Sequence, residues 1–364
     1  MKYKIKGKNI QNHKEIIFNP RKKEFQIKNV KSNITKEELS NPIILQKLLE
    51  KINCKVMKMF EIKDYLDSGS ESVVYKILDK VSKKPLILKI IYRKQNEKRN
   101  INEFIISKKL KNKNISIFYG VEEIKEYNLD LVIIEYGIYN NLRFFQKKIL
   151  KRDYLSESLL CFFAYQILNG LKYCHMNKIA HLDIKPENIV VNEFLDLKII
   201  DFSVSLDYNK IKNGKIKLTF QGTNFYIAPE VIKEEIINIK DLNKVDMYSF
   251  GVMLYKLAFG SYPFGLTSDD SHNYEKIYSK IQKEELEFNK KFVCSSYFID
   301  FLKSLLEKDI NKRININEAL GHYWIKCSNI LINEKENINN TRIFMTYLLT
   351  DHIIKFNKQI NKKF

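Results

Sequence analysis

The sequence predicts an α+β protein with two lobes, a small lobe built on an antiparallel β-sheet with one main helix and a larger, mainly helical lobe. Two patterns carry this prediction. From Met57 onward, short runs rich in β-branched and aromatic residues alternate with polar turns, as antiparallel strands do. Beyond Gly137, long segments are apolar on almost every face, as helices buried in a large lobe are. The 364 residues, 45% of them hydrophobic, are enough for such a core and exclude a wholly disordered chain.

The net charge of +20 invites a nucleic-acid or acidic-membrane interpretation. However, Lys, Asn and Ile are all heavily used while Gly (11) and Pro (6) are scarce, which codon bias in an AT-rich genome would produce. No run of five or six consecutive basic residues occurs. We therefore expect no dedicated nucleic-acid site. Polyanion binding by the basic ends stays open as an alternative, and steep salt dependence of binding would support it.

The cysteines and the N-terminus bear on the cellular compartment. The five cysteines are scattered, odd in number and form no C-x-x-C pair, which is typical of a reducing compartment and argues against zinc. The first residues lack an apolar signal region, and no apolar run approaches about 18 residues. The sequence predicts no transmembrane segment and an intracellular location, cytoplasmic or nuclear.

Four segments follow one another along the chain. Residues 1–56 form a basic N-terminal extension with one helical pattern, for which Asn41 is a candidate cap and Pro42 lies in the first turn. The predicted apolar face of this helix consists of Ile43, Leu45, Leu48 and Leu49. Residues 57–136 form the small lobe and residues 137–326 the large lobe. Residues 327–364 form a C-terminal tail with the spacing of one amphipathic helix. Either terminal segment could pack on its neighbouring lobe or bind a regulatory partner.

Within the two lobes, hydrophobic periodicity places the main elements. The small lobe is predicted to hold three strands, one helix and two further apolar runs, in the order 60–66, 73–78, 86–92, 99–110, 115–121 and 131–135. The large lobe is predicted to hold helical segments at 156–177, 245–259 and 297–307, followed by a further segment at 309–325.

One loop organises the candidate functional site. Residues 181–188, of sequence HLDIKPEN, follow a long apolar helix pattern, carry a helix-breaking Pro and lead into a short apolar strand. Thirteen residues after Asn188, a second apolar run ends in Asp201, followed by Phe202 and Ser203. Two short strands thus deliver two carboxylates and an amide to one place. Carboxylate and amide oxygens suit Mg²⁺, and a nearby Lys suits phosphoryl groups.

This pattern resembles the catalytic loop and the metal-binding DFG triplet of eukaryotic protein kinases of the Ser/Thr type, with HLD in place of HRD and DFS in place of DFG. The resemblance spans about residues 60–326 and implies the two-lobed protein-kinase fold. It also implies roles for matching residues. Asp183 would accept the substrate hydroxyl proton, and Lys185 would stabilise the γ-phosphoryl group. Asn188 and Asp201 would bind Mg²⁺.

The resemblance further implies an ATP site. Lys89 matches the lysine that contacts the α- and β-phosphates, and Glu103 matches its carboxylate partner. Ile134 would be the gatekeeper, and the backbone of Glu135 and Gly137 would bind the adenine. The residues expected to contact the nucleotide are Leu66, Gly69, Val74, Ile87, Lys89, Ile134, Glu135, Gly137 and Val190.

The segment 222–230 resembles the kinase substrate-docking loop ending in Ala-Pro-Glu, and it implies a buried ion pair between Glu230 and Arg313. Lys185 and Thr223 favour Ser/Thr side chains of protein substrates as acceptors. Glu187 matches a residue with which basophilic kinases contact a substrate Arg, but Asn141 stands where a second acidic residue is common. The preference for basic substrates is therefore only weakly supported.

Three departures from the family keep a second function open. The phosphate-covering loop retains only Gly69 of its three glycines, which predicts weaker ATP binding. Ser203 replaces the DFG glycine. Leu182 replaces the Arg that pairs with an activation-segment phosphate in most loop-phosphorylated relatives, so phosphorylation of Thr219 is expected to matter little. The favoured function is a Mg-ATP-dependent Ser/Thr kinase independent of activation-loop phosphorylation. The alternative is a pseudokinase that acts as a scaffold or allosteric regulator, with or without bound ATP.

Overall fold

The computed structural model describes residues 14–19, 24–29, 36–68, 72–93, 101–137, 141–192, 194–218, 224–270, 273–288 and 294–327. They group into two compact units. In the first, the residues up to Arg93 join Phe118–Tyr136. In the second, residues 101–117 join those from Gly137 onward. The tail beyond Cys327, and with it the predicted amphipathic helix, lies outside the described residues.

The first unit is built on a five-stranded antiparallel sheet with the strand order β3-β4-β5-β7-β6. These strands are β3 (Phe60–Ser68), β4 (Ser72–Asp79), β5 (Pro85–Tyr92), β6 (Phe118–Ile124) and β7 (Leu129–Glu135). The three strands predicted at 60–66, 73–78 and 86–92 are confirmed. A separate hairpin, which the sequence pattern did not predict, pairs β1 (Lys14–Asn19) with β2 (Glu24–Asn29).

Short helices before the sheet complete the first unit, namely α1 (Lys36–Ser40), α2 (Pro42–Lys51) and α3 (Lys55–Met59). The predicted cap is confirmed, because the Asn41 side chain accepts hydrogen bonds from the amides of Ile43 and Ile44 at 3.0 and 3.2 Å. These two hydrogen bonds satisfy amides in the first turn of α2 that have no partner within the helix.

The helices before the sheet share its hydrophobic core. Leu45 and Leu49 of α2 are fully buried in the same cluster as Leu88 and Ile133 of the sheet. The Tyr75 hydroxyl donates a hydrogen bond to the carbonyl of Leu39 at 2.7 Å. Residues 36–59 are therefore packed into the first unit.

The second unit is mainly helical, with a buried core of its own. Its helices are α4 (Ile101–Lys109), α5 (Leu142–Phe144), α6 (Glu157–Met176), α7 (Pro229–Ile232), α8 (Asn243–Phe259), α9 (Tyr274–Lys283), α10 (Ser296–Leu305), α11 (Ile316–Gly321) and α12 (Tyr323–Lys326). A π-helical turn, Phe145–Ile149, follows α5.

The two long helices α6 and α8 are buried on almost every face, as their apolar sequences predicted. Ser156 caps α6 by accepting a hydrogen bond from the Leu159 amide at 3.4 Å. Helix α8 ends at Gly260, whose φ of 72° is the left-handed conformation that glycine adopts readily. Gly251 allows α10 to approach α8, because a Cβ there would lie only 2.8 Å from the Cβ of Leu305.

Short antiparallel strand pairs position the loops of the second unit. They are β8 (Ile179–Ala180) with β11 (Leu206–Asp207), β9 (Ile189–Val191) with β10 (Leu197–Ile199), and β12 (Lys215–Lys217) with β13 (Ile236–Asn238). No helix among the described residues is both long and apolar enough to cross a membrane.

Candidate active site

The β9–β10 hairpin brings the two predicted metal ligands next to each other. Asn188 directly precedes β9 and Asp201 follows β10, and Ile189 lies opposite Ile199 in the ladder. The amide of Ile200 donates a hydrogen bond to the carbonyl oxygen of Asn188 at 3.0 Å, which extends the pairing by one residue. Residues that are thirteen positions apart in the sequence therefore become neighbours.

The side chains of Asp183, Lys185 and Asn188 form one hydrogen-bonded group. Lys185 Nζ lies 2.7 Å from Asp183 Oδ2, and Asn188 Nδ2 donates to the same oxygen at 2.8 Å. Asn188 Nδ2 also donates to the backbone carbonyl of Asp183 at 2.8 Å. These bonds fix the Asp183 carboxylate and leave its Oδ1 as the oxygen that can accept a hydroxyl proton.

A buried carboxylate that the sequence analysis did not single out holds this loop in place. Asp246, in the first turn of α8, is fully buried. Its Oδ1 accepts from the Leu182 amide at 2.7 Å, and its Oδ2 accepts from the His181 amide at 2.9 Å and contacts His175 Nε2 at 2.8 Å. Burial raises the pKa of Asp246, but the hydrogen bonds that its carboxylate accepts and its favourable electrostatic interaction with the two nearby imidazoles outweigh burial, so the net pKa is lowered.

The His181 side chain, which is also fully buried, connects the loop to the segment of Asp201. Its Nδ1 accepts from the Asp183 amide at 3.3 Å, so the ring proton sits on Nε2, which donates to the Ile200 carbonyl at 3.0 Å. The ring also meets Phe202 edge-on, with centroids 5.0 Å apart. Both Asp183 and Asp201 are thereby positioned by one imidazole.

Two residues of this site adopt a backbone conformation that is unusual for a residue with a side chain. Leu182 has a φ of 65° and Asp201 a φ of 64°. Such left-handed residues cost energy and persist only where the surrounding contacts hold them. The hydrogen bond from the Leu182 amide to Asp246 is one such contact.

In the first unit, four predicted nucleotide contacts share one face of the sheet. Side chains alternate along a strand, and Leu86, Leu88 and Ile90 point into the core. Lys89 and Ile87 therefore point to the opposite face, where Val74 lies opposite Lys89 and Ile134 lies opposite Ile87 in the strand register.

The other predicted nucleotide contacts are placed as follows. Leu66, in β3, and Glu135, the last residue of β7, are half-buried. In the second unit, Gly137 packs against Val190 so closely that a Cβ would come within 2.9 Å of the Val190 Cβ. Glu103 is buried in the first turn of α4. Gly69 lies outside the described residues.

The residues present fit a magnesium–nucleotide complex. Both hydrogens of the Asn188 amide are directed to Asp183, which leaves Oδ1 of Asn188 able to bind a metal ion, and the β9–β10 hairpin brings the backbone of Asp201 close to that of Asn188. Mg²⁺ is usually bound by one or two such protein oxygens, with phosphate and water completing the shell.

Comparison with known proteins identifies the family. The family model for the protein kinase domain matches residues 60–325. This chain belongs to the protein kinase family. The predicted family and the α+β fold, with a five-stranded antiparallel sheet and a helical unit, are confirmed.

The kinase is similar to several curated relatives. Death-associated protein kinase 2 of Homo sapiens is 29% identical over 283 residues, which cover 74% of this chain and 72% of that protein. An Aurora kinase of Debaryomyces hansenii is 30% identical over 294 residues, covering 79% and 67% respectively. The probable serine/threonine-protein kinase fhkA of Dictyostelium discoideum is 28% identical over 322 residues, covering 79% and 53%.

The structure shows the ion pair that the kinase motifs implied between Glu230 and Arg313. The two side chains form a bidentate pair at 2.7 and 2.9 Å, and both are almost completely buried. Arg313 also donates to the carbonyls of Glu307 and Lys244, at 2.8 and 3.0 Å, and its guanidinium lies 4.9 Å from the ring centre of Tyr248. The pair fixes α7 to the segment before α11 in the kinase. Thr223 lies outside the described residues.

Proposed function

We propose that this kinase transfers the γ-phosphoryl group of Mg²⁺-bound ATP to Ser and Thr hydroxyls of protein substrates. The observation that carries the proposal is the joint placement of Asp183, Lys185 and Asn188 in one hydrogen-bonded group, next to Asp201. Phosphoryl transfer needs positioning and charge neutralisation more than covalent chemistry. This group supplies a proton acceptor, a cation and two ligands for a hard metal.

Each side chain has a distinct part in the proposed reaction. Asp183 accepts the hydroxyl proton through Oδ1, and Lys185 neutralises charge on the phosphoryl group. Asn188 and Asp201 hold Mg²⁺, which would neutralise the phosphates. Lys89, which is half-buried on the face of the sheet opposite the core, would contact the α- and β-phosphates.

The acceptor class is inferred from Lys185 and from the relatives. Lys185 stands two residues after the proposed proton acceptor, a pattern that differs from the one usual in tyrosine-specific kinases. The Dictyostelium relative is named as a probable serine/threonine-protein kinase. An intracellular location, cytoplasmic or nuclear, is proposed as well, because all five cysteines are free thiols.

The test of the proposed function combines nucleotide binding with catalysis. We expect Mg²⁺-ATP to raise the melting temperature of the purified protein, and labelled phosphate to appear on Ser and Thr of a mixed protein substrate. Stabilisation by Mg²⁺-ATP without phosphate incorporation would instead indicate the pseudokinase alternative. Absence of both would leave neither the cofactor nor the reaction supported.

We further propose that the kinase is active without phosphorylation of its activation segment. The segment is held by pairing of β12 with β13, and Lys217 of β12 lies 2.7 Å from Glu234. Leu182, at the position before the catalytic Asp, is partly buried against the core of the second unit and offers no cation to a phosphate. Thr219, the expected phosphate acceptor, lies outside the described residues.

Substitution of Thr219 by alanine is accordingly expected to leave the initial rate within about a factor of two, because no charge-assisted pair depends on a phosphate there. Steady-state rates before and after phosphatase treatment measure this. Leu182→Arg is the matched gain-of-function variant, and it should make the rate respond to phosphorylation. A tenfold or greater loss on dephosphorylation of wild-type Thr219 would contradict the proposal.

A further inference from the structure

Three cations lie beside the candidate active site, and we refer to Arg143, Lys147 and Lys256 as the basic cluster. Arg143 belongs to α5, Lys147 to the π-helical turn and Lys256 to the last turn of α8. Arg143 Nη1 lies 2.6 Å from Oε1 of Glu187, which is the residue before Asn188. The basic cluster therefore borders the turn that carries the proposed metal ligand.

Lys256 is the unusual member of the basic cluster. It is half-buried, its Nζ lies 4.0 Å from the ring centre of Tyr262, and it forms no ion pair with any described residue. Burial lowers the pKa of Lys256, and the positive charges of Lys147 and Arg143 lower it further, whereas Glu187 acts in the opposite direction. The charged form of a lysine in such surroundings becomes more stable when an anion binds to it.

The two carboxylates near the basic cluster do not provide an anionic partner for Lys256. Glu187 has its Oε1 bound to Arg143, and its Oε2 is shielded from solvent without a hydrogen-bond partner. Asp153, whose side chain is 84% exposed, pairs with Lys147 at 2.6 Å. Three cations and two carboxylates leave one net positive charge, and Lys256 is the cation without a carboxylate.

The same arrangement disfavours a basic substrate residue. Glu187 is a poor partner for such a residue, since its Oε1 is already paired with Arg143 and its Oε2 is shielded from solvent. Aromatic rings form the wall next to Lys256, because Phe225 stacks on Tyr262 with centroids 4.3 Å apart and Tyr226 meets Tyr262 edge-on at 5.9 Å. The partial burial of Lys256 beside these rings strengthens an ionic contact.

We propose that the basic cluster binds an anionic side chain of the protein substrate, a carboxylate or a phosphate, close to the acceptor hydroxyl, with Lys256 as its main contact. The identification of the ligand as a substrate residue rests on the proposed kinase function. The expected substrates therefore have acidic or previously phosphorylated residues near the acceptor. A Glu187 whose carboxylate were free to bind substrate would instead select basic residues.

Peptide binding tests this inference without requiring catalysis. Fluorescein-labelled peptides with one Ser would carry a single Ala, Glu, phosphoserine or Arg at each of four positions on either side, and fluorescence anisotropy with the full chain would give their affinities. At one or more positions, we expect Glu or phosphoserine to bind about five- to tenfold more tightly than Ala, the size of one charge-assisted contact. Arg at that position should bind no better than Ala.

Variants assign the effect to Lys256. Lys256→Gln keeps most of the stem on Tyr262, and it should reduce the advantage of the anionic peptides to less than about twofold. Lys256→Glu should reverse the preference, so that the Arg peptide binds more tightly than the anionic peptides. Lys326→Gln is the matched control, because Lys326 also lies over a tyrosine ring, that of Tyr323 at 5.5 Å, and it should keep the wild-type preference.

The outcomes separate this inference from the proposed function. Equal affinity for Glu, phosphoserine and Ala peptides, or an unchanged preference in Lys256→Gln, would overturn the inference. A larger gain for phosphoserine than for Glu would specify phosphate as the anion. Retained anion preference in a protein that transfers no phosphate would support the basic cluster and reject the proposed reaction.

Discussion

Replacement of Asp183 by asparagine is expected to lower kcat by about 10²- to 10⁴-fold, the usual contribution of a general base, while leaving ATP affinity almost unchanged. The amide cannot accept the hydroxyl proton, but its oxygen can still accept the hydrogen bonds that Lys185 and Asn188 direct to Asp183 Oδ2. Because both partners stay in place, the loop should keep its shape. Single-turnover phosphorylation measures the rate, and a thermal-shift titration measures ATP affinity.

Asp201→Asn provides the contrasting variant. It removes one charge from the proposed metal site, so Mg²⁺-dependent ATP affinity itself should fall. Asp300→Asn is the control, because this largely exposed carboxylate pairs with His322 in a distant part of the second unit. An equal loss of nucleotide affinity in the Asp183 and Asp201 variants would contradict the division of roles between the two carboxylates.

Removal of the Arg313 side chain is expected to give the largest loss of stability. In Arg313→Ala, the buried Glu230 carboxylate loses a bidentate partner, which costs about 3–5 kcal/mol of unfolding free energy. The carbonyls of Glu307 and Lys244 also lose a donor. Thermal and chemical denaturation of the variant and the wild type measure this difference, and any loss of activity should follow from it.

Two further variants test the buried pair. Lys217→Ala breaks an ion pair in which both side chains are more than half exposed, and it should change stability by less than about 1 kcal/mol. The double variant Glu230→Leu/Arg313→Met should recover part of the loss, because no unpaired charge then remains buried. A single variant Arg313→Ala that melts like the wild type would show that the pair does not stabilise the kinase.

Much of the fold could be predicted because the burial of side chains follows the spacing of apolar residues within each short segment. In β5, Leu86, Leu88 and Ile90 face the core while Lys89 does not, and this alternation is visible in the sequence. The cap at Asn41 is equally local. Ile43, in contrast, was predicted on the apolar face of its helix but is 64% exposed, because the core covers only a narrow stripe of α2.

Short polar strands gave no such signal. Strand β12 has the sequence Lys-Ile-Lys, in which the Lys residues are exposed, so its pairing with β13 depends on a contact between distant segments rather than on its own pattern. The same applies to the hairpin of β1 and β2. For that region the sequence predicts only a basic extension with one helix.

The candidate site likewise contains residues that the sequence predicts and one residue that it does not. Asp183, Lys185, Asn188 and Asp201 were predicted from motif spacing, and the structure places them together. Asp246 was missed because, in the sequence, it is one carboxylate in the first turn of an apolar helix, where the helix dipole alone would favour it. Its partners are separated from it by 64 to 71 positions, so only the folded chain shows the connection.

The contact between Leu182 and Asp246 has a consequence for how this kinase can diverge. The loop is anchored through the main-chain amide of residue 182, so the anchoring hydrogen bond does not involve the side chain of that residue and needs only a residue other than proline. If Leu182 has the proposed role, exchange of leucine for arginine, or the reverse, would add or remove dependence on an upstream kinase in one step. The hydrogen bond from residue 182 to Asp246 would be kept through such a step, so the proposed control and the proposed catalysis would be under separate selection at adjacent positions.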